Sequence, residues 1–206
     1  MKKILFAFGL MALLFAACDE VEEATKYDNW QERNQAFADS LHVATGENYV
    51  ATGEAADNMQ LGKLYAIPTT AGTTAGQQYV YCRKLVANPD GERPLYTGYH
   101  SKVNTFYYGT DINGDSFDGN FTGYGATDQV IPLPPGREPT AFDSYYTSYV
   151  TEKNISGWIA ALQLMRTGER WILYIPWQSA YGESGYNSIA GYSVLTFDLI
   201  LDSIVD

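Results

Sequence analysis

Histidine and cysteine are almost missing from this chain, with two of each in 206 residues. His42 and His100 are too few to build a zinc site or to support a Ser-His-Asp triad. Gly182-Glu183-Ser184-Gly185 lacks the spacing of a nucleophile elbow. Positive charge is also scarce: 13 Lys and Arg stand against 24 Asp and Glu, a net charge of −11. That balance argues against a nucleic-acid partner, because phosphate binding needs a concentrated basic surface. Long apolar runs are missing but for Ile4 to Phe15. At about twelve residues it is short for a membrane-spanning helix, and behind Lys2-Lys3 it reads as a secretory signal over residues 1–17.

Phe15-Ala16-Ala17-Cys18 follows, and small residues before a cysteine resemble a bacterial lipobox, with Phe15 where Leu is usual. Cys18 is therefore expected to become a lipidated N-terminus; the plainer alternative is a cleaved signal with an incidental cysteine. Cleavage removes two lysines and no acid, leaving 11 basic against 24 acidic residues, a net of −13. Asp19-Glu20-Val21-Glu22-Glu23 resembles the export tags that carry some bacterial lipoproteins to the cell surface, and reads equally well as a solvated tether. The predicted location is the cell envelope, lipid-anchored at the outer membrane, with the face left open. Cys82 has no second thiol for an intramolecular disulfide. It sits in the alternating Tyr79-Val80-Tyr81-Cys82, which suggests a strand with a buried small apolar side chain.

Residues 18–27 read as an acidic tether and 28–77 as an N-terminal extension. Within the extension Trp30, Phe37 and Leu41 recur at i, i+7 and i+11, the stripe of an amphipathic helix that docks on its own domain. Residues 45–78, rich in Gly, Thr and Ala around the island Leu64-Tyr65-Ala66-Ile67, read as a loose connection. The main domain spans 78–206. Strands are expected at Gln78–Val86, Lys102–Tyr108, Ser144–Val150, Arg170–Ile175 and Val194–Val205, with a turn at Asn88-Pro89-Asp90-Gly91. Ser156 as N-cap and Gly168 as the residue past the end bracket one short helix, with Ile159, Leu162, Leu164 and Met165 on its apolar face. One helix among antiparallel strands makes an α+β domain.

Two stretches carry the chemistry. The first reads Tyr107-Tyr108-Gly109-Thr110-Asp111-Ile112-Asn113-Gly114-Asp115-Ser116-Phe117-Asp118, a hairpin with a strong Asn-Gly turn. The second runs from Ile155 through Gly157-Trp158 and Ala180-Tyr181-Gly182 to Ile189 and Val194-Leu195-Thr196-Phe197. Their order and spacing, over residues 78 to 203, resemble the FKBP-type peptidyl-prolyl cis-trans isomerases. Asp111, Asn113 and Asp115 also mimic the start of a calcium loop, but Ser116 stands where glycine is needed and Thr122 where a bidentate glutamate is needed.

The resemblance implies an antiparallel sheet curled around one short helix, and a cofactor-free, metal-free isomerase acting on Xaa-Pro bonds of exported proteins. It implies Tyr107, Asp118 and Tyr181 as the polar catalytic groups. Phe117, Ile155, Trp158, Ile189 and Phe197 would form the peptide-binding pocket, with either Phe142 or Tyr145 as a further aromatic. Expected partners are proline-containing polypeptides, macrolide inhibitors and, through the anchor, a membrane. Three features depart from the family pattern. Ala190-Gly191 replaces Pro-Pro, Asn154 replaces a common valine, and a long Gly/Pro-rich loop between Asp118 and Phe142 is expected near the pocket mouth as a substrate filter. A non-catalytic chaperone on the same scaffold is the alternative reading. A tyrosine-rich structural or adhesive lipoprotein, with no such pocket, is the third.

Overall fold

The computed structural model describes residues 25–69, 77–127, 136–151 and 155–205. The secretory signal, Cys18, the acidic run 19–23, Asn154 and residues 128–135 of the long loop lie outside them. Among the described residues seven strands form one antiparallel sheet: β1 (Leu64–Thr69), β2 (Gln78–Val86), β3 (Lys102–Thr110), β4 (Ser116–Gly119), β5 (Tyr146–Tyr149), β6 (Arg170–Ile175) and β7 (Leu195–Val205). Their order is β1-β2-β6-β7-β3-β4, with β5 also paired to β3. The α-helices α1 (Trp30–Thr45), α2 (Gly53–Asp57) and α3 (Ser156–Leu162) accompany them.

Strand β6 explains the layering. Every one of its six residues is buried, whereas a sheet with one wet face would alternate. Trp171, Leu173 and Ile175 join Leu199, Leu201 and Trp158 in one core, which α3 completes. Ile172 and Tyr174 face the other way and pack with Ala38 and Leu41 of α1. The extension therefore docks on its own domain, as the stripe predicts, and Asn34 and Thr45 are buried along with Trp30 and Leu41. On the inner face α3 comes close enough that a Cβ on Gly157 would sit 2.4 Å from an Ile175 methyl. Only glycine permits that approach.

Three local expectations need correction. Leu64-Tyr65-Ala66-Ile67 is not loose connection but edge strand β1, paired with β2 from Leu64↔Arg83 to Thr69↔Gln78. Its residues alternate too weakly to announce a strand, and only the partner makes them one. The N-cap of α3 is Ile155 rather than Ser156, whose hydroxyl donates to the Ser179 carbonyl at 3.2 Å. The helix ends at Leu162; Leu164 and Met165 are buried in the turns beyond it, and Gly168, at φ +80°, leads into β6.

The described residues of the long loop after β4 also lie elsewhere than expected. They cover the outer face, away from the inner core. Phe121 and Tyr124 are buried there, and the Arg137 guanidinium donates to the Gly123 carbonyl at 2.9 Å. Underneath is a buried ion pair. Arg170 donates to both oxygens of Asp198, from Nε at 2.8 Å and Nη2 at 2.6 Å, and Asp198 also accepts the Tyr124 N–H at 2.8 Å. Arg170 spends its remaining donors on Glu138 and the Arg137 carbonyl, both at 2.8 Å. The described loop residues Tyr124, Arg137 and Glu138 thus bond the buried charge pair directly.

Breaking that pair from one side leaves a buried guanidinium unpaired. Asp198→Ala is expected to lower the unfolding free energy by about 3–5 kcal/mol in urea titrations, with Arg170→Met/Asp198→Leu recovering most of it. A single-variant cost below about 1 kcal/mol would show that the pair does not hold the loop.

Candidate functional site

Pleating turns Tyr107 of β3 and Phe197 of β7 onto the inner face, where α3 places Trp158 between them. The rings meet edge to face. Trp158 lies 5.3 Å from Tyr107 at 88° and 5.1 Å from Phe197 at 81°. Phe117 stands on Phe197 at 5.4 Å and 89°. This geometry aligns each ring's positive edge with its neighbour's negative face and fixes the orientation of the set. Gly109 makes room for it, since a Cβ there would come within 2.9 Å of both phenylalanine rings.

Above these rings is a cavity of about 140 Å³, lined by Tyr107, Asp118, Tyr146, Ile155, Trp158, Tyr181 and Phe197. Six of the eight residues expected from the sequence are in that wall. Phe117 buttresses Phe197 from behind, and Ile189 packs at the margin of the inner core. The further aromatic is neither Phe142 nor Tyr145. Phe142 is 97% exposed, and Tyr145 lies 4.8 Å from Phe106. It is Tyr146, whose ring lies 5.6 Å from Tyr107. The sequence places a strand here, but which tyrosine faces the cavity depends on the register with β3, where Tyr146 pairs with Thr105.

The polar wall is organised around Asp118. The Tyr107 hydroxyl donates to Asp118 Oδ2 at 3.0 Å, and the Gly119 N–H donates to Oδ1 at 2.8 Å. Burial, then the neighbouring Asp118 carboxylate, pushes the Tyr107 phenol well above its usual value. Burial first, then Asp118, pushes Tyr181 up as well. Both hydroxyls therefore stay protonated through neutral pH and act as donors. Tyr107 spends its proton on Asp118. Among the described residues, the Tyr181 hydroxyl, the Ile155 N–H and the buried Trp158 Nε1–H have no hydrogen-bond partner. Tyr181 and Ile155 line the cavity, so their free hydroxyl and N–H are the donors nearest a ligand's carbonyl oxygens, whereas the Trp158 Nε1–H is shielded from the surface.

No cluster of three or more His, Cys, Asp or Glu fit for a metal occurs among the described residues. The calcium-like trio is otherwise engaged. Asp111 Oδ1 accepts the N–H groups of Asn113 and Asp115, Asn113 takes a bond from Arg33, and Asp115 pairs with Lys26.

A raised phenol pKa means that Tyr107 ionises after most tyrosines in an alkaline ultraviolet titration. Tyr107→Phe is expected to remove part of the late-titrating fraction and leave the ordinary transition near pH 10 in place. An unchanged late fraction would contradict the buried hydroxyl–carboxylate bond.

Comparison with known proteins agrees with this geometry. Residues 98–202, about half of the chain, match the family described as FKBP-type peptidyl-prolyl cis-trans isomerase. The macrophage infectivity potentiator of Trypanosoma cruzi is 46% identical over 76 residues, which is 34% of this chain and 39% of that protein. The FKBP-type 22 kDa peptidyl-prolyl cis-trans isomerase of Escherichia coli K12 is 48% identical over 52 residues, 25% of this chain and 25% of that protein. The chain thus spans two fifths or less of the length of these curated relatives. A peptidyl-prolyl cis-trans isomerase from Pseudomonas syringae shares the fold at TM-score 0.52 and 18% identity, covering 89% of this chain and 98% of that one. FkpA from Escherichia coli does so at TM-score 0.52 and 19% identity, covering 87% and 62%. With the aromatic cavity falling inside the matched region, the chain belongs to the FKBP-type peptidyl-prolyl cis-trans isomerase family.

Proposed function

We propose that this protein isomerises Xaa-Pro bonds in exported polypeptides, non-covalently, in the cavity between Tyr107, Trp158, Tyr181 and Phe197. The observation that carries the reading is the cavity's size and lining. A dry apolar hole of about 150 Å³ accepts one benzene ring, so 140 Å³ bounded by aromatic faces suits a single prolyl ring.

The chemistry needs no nucleophile. Rotation about the prolyl amide is slow because resonance must be broken, at a barrier of about 18–20 kcal/mol. The planar amide is more polar than the twisted one, so removing water favours the twisted form. Trp158 and Phe197 exclude that water and hold the ring. Tyr181 and the Ile155 N–H donate to substrate carbonyls, fixing the chain on either side while the bond turns. Asp118 orients Tyr107 and keeps the wall in place. Only contacts stronger in the twisted state accelerate the step, and each tenfold in rate needs roughly 1.4 kcal/mol of such preference.

We further propose that Cys18 is a lipidated N-terminus and that the acidic tether behind it holds this activity in the cell envelope, at the outer membrane, a reading supported by the lipobox-like Phe15-Ala16-Ala17-Cys18. Exported chains refold there and slow prolyl steps limit them. Macrolides that fill prolyl pockets are expected to compete for the same cavity. The chaperone reading shares the pocket and differs in turnover alone.

Tyr181→Phe and Trp158→Leu are each expected to lower kcat/KM on a proline tetrapeptide by about tenfold, the loss of one contact of about 1.4 kcal/mol, while the fold survives. A protease-coupled assay with and without a macrolide reads this directly. Unchanged turnover in both variants refutes the site; peptide binding without turnover in the wild type favours the chaperone.

A further inference from the structure

The two long walls of the cavity come from segments far apart in the chain. The β3–β4 hairpin supplies Tyr107 and Asp118, and the segment after β6 supplies Tyr181. One element from outside the matched region touches the supports of both. Helix α1 reaches the hairpin tip through Arg33, whose Nη2 donates to Asn113 Oδ1 and whose Nη1 donates to the Lys26 carbonyl at 2.9 Å. Lys26 in turn pairs with Asp115 at 2.9 Å. The tip is a stiff handle, because Asp111 Oδ1 already holds the amides of Asn113 at 2.8 Å and Asp115 at 3.1 Å. Asp118 follows three residues after Asp115.

The adjacent residue, Asn34, reaches the other wall. It is wholly buried, and its Oδ1 accepts the Val194 N–H at 2.7 Å, across 160 positions of sequence. Its Nδ2 donates to the Trp30 carbonyl at 2.8 Å, and Trp30 Nε1 donates to Ser193 Oγ at 3.2 Å. From there the Tyr192 N–H donates to the Gly182 carbonyl at 3.0 Å, next to Tyr181. A buried amide is costly unless both ends are paired. Here one end belongs to the helix and the other to the base of the Tyr181 loop, so Asn34 ties the two together.

We propose that α1 is a brace for the cavity, with Arg33 and Asn34 as positioning residues that set the spacing between the Asp118 and Tyr181 walls. The kinetic part of this inference rests on the isomerase reading; the structural part does not. Neither residue touches the cavity. They act by removing slack from two loops whose side chains must meet one prolyl ring, where small misplacements are expensive.

The test is a mutant cycle in the full chain. Arg33→Ala, a surface change, is expected to lower kcat/KM on a proline tetrapeptide by about threefold to tenfold without moving the thermal midpoint. Asn113→Ala is expected to lower kcat/KM too, and the double variant no more than Arg33→Ala alone, since both changes remove the Arg33–Asn113 bond. Asn34→Ala is followed by amide hydrogen exchange, which needs no activity. Exchange is expected to quicken at 182–194, and in Arg33→Ala at 111–119. Unchanged exchange in both variants overturns the brace even if the wild type proves inactive. Additive losses in the cycle, or unchanged kcat/KM in an active enzyme, overturn the positioning role. A wild type without turnover refutes the isomerase reading alone and leaves exchange to decide the brace.

Discussion

The layering of this molecule depends on its central strands being buried on both faces, and β7 shows why. Phe197 and Asp198 are neighbours in sequence and point in opposite directions. Phe197 becomes the floor of an aromatic cavity. Asp198, wholly buried, demands a partner, finds it in Arg170, and through that pair holds down the loop after β4. A charged group cannot be left in an apolar layer without such compensation. The outer layer is thus held by hydrogen bonding as much as by apolar area, and the inner core, though mainly packed, carries a buried pair of its own, Lys84 and Glu169 beside Trp171.

That division suits the proposed chemistry. A pocket that works by excluding water must keep its walls apart when empty. Edge-to-face rings at 5.1–5.4 Å have fixed mutual angles and little freedom to collapse. Gly109 and Gly157 permit the close approaches on which the arrangement relies. Asp118 holds the Tyr107 hydroxyl, and Ile155 is fixed as the cap residue at the start of α3. The extension then appears as part of the working unit, since α1 contributes to the outer core and reaches both loops that bear the cavity's polar groups.

Much of the site was legible because its residues fall in two contiguous stretches that resemble the FKBP-type pattern, their spacing kept by a hairpin turn and by a helix leading into strands. Tyr107, Asp118, Ile155, Trp158, Tyr181 and Phe197 line the cavity for that reason. Tyr146 was not legible, because three tyrosine- or phenylalanine-bearing positions lie within five residues and only the register with β3 selects among them. The placement of the long loop was equally hidden. Gly- and Pro-rich composition reveals a loop but says nothing of which sheet face it covers, and the deciding partner, Arg170, is 32 residues from Glu138 in the chain. Strand β1 was missed because its ladder lies in its partner β2 and not in its own pattern.

Sequence alone determined helix α1, most strands of the main domain, the hairpin turn and the family pattern, since turn chemistry and apolar periodicity act over a few residues. Tertiary structure alone decided which face the loop covers, which tyrosine enters the cavity and what α1 grips. Those choices are made by strand register and by buried polar groups seeking partners, and both are relations between segments that the chain brings together only when it folds.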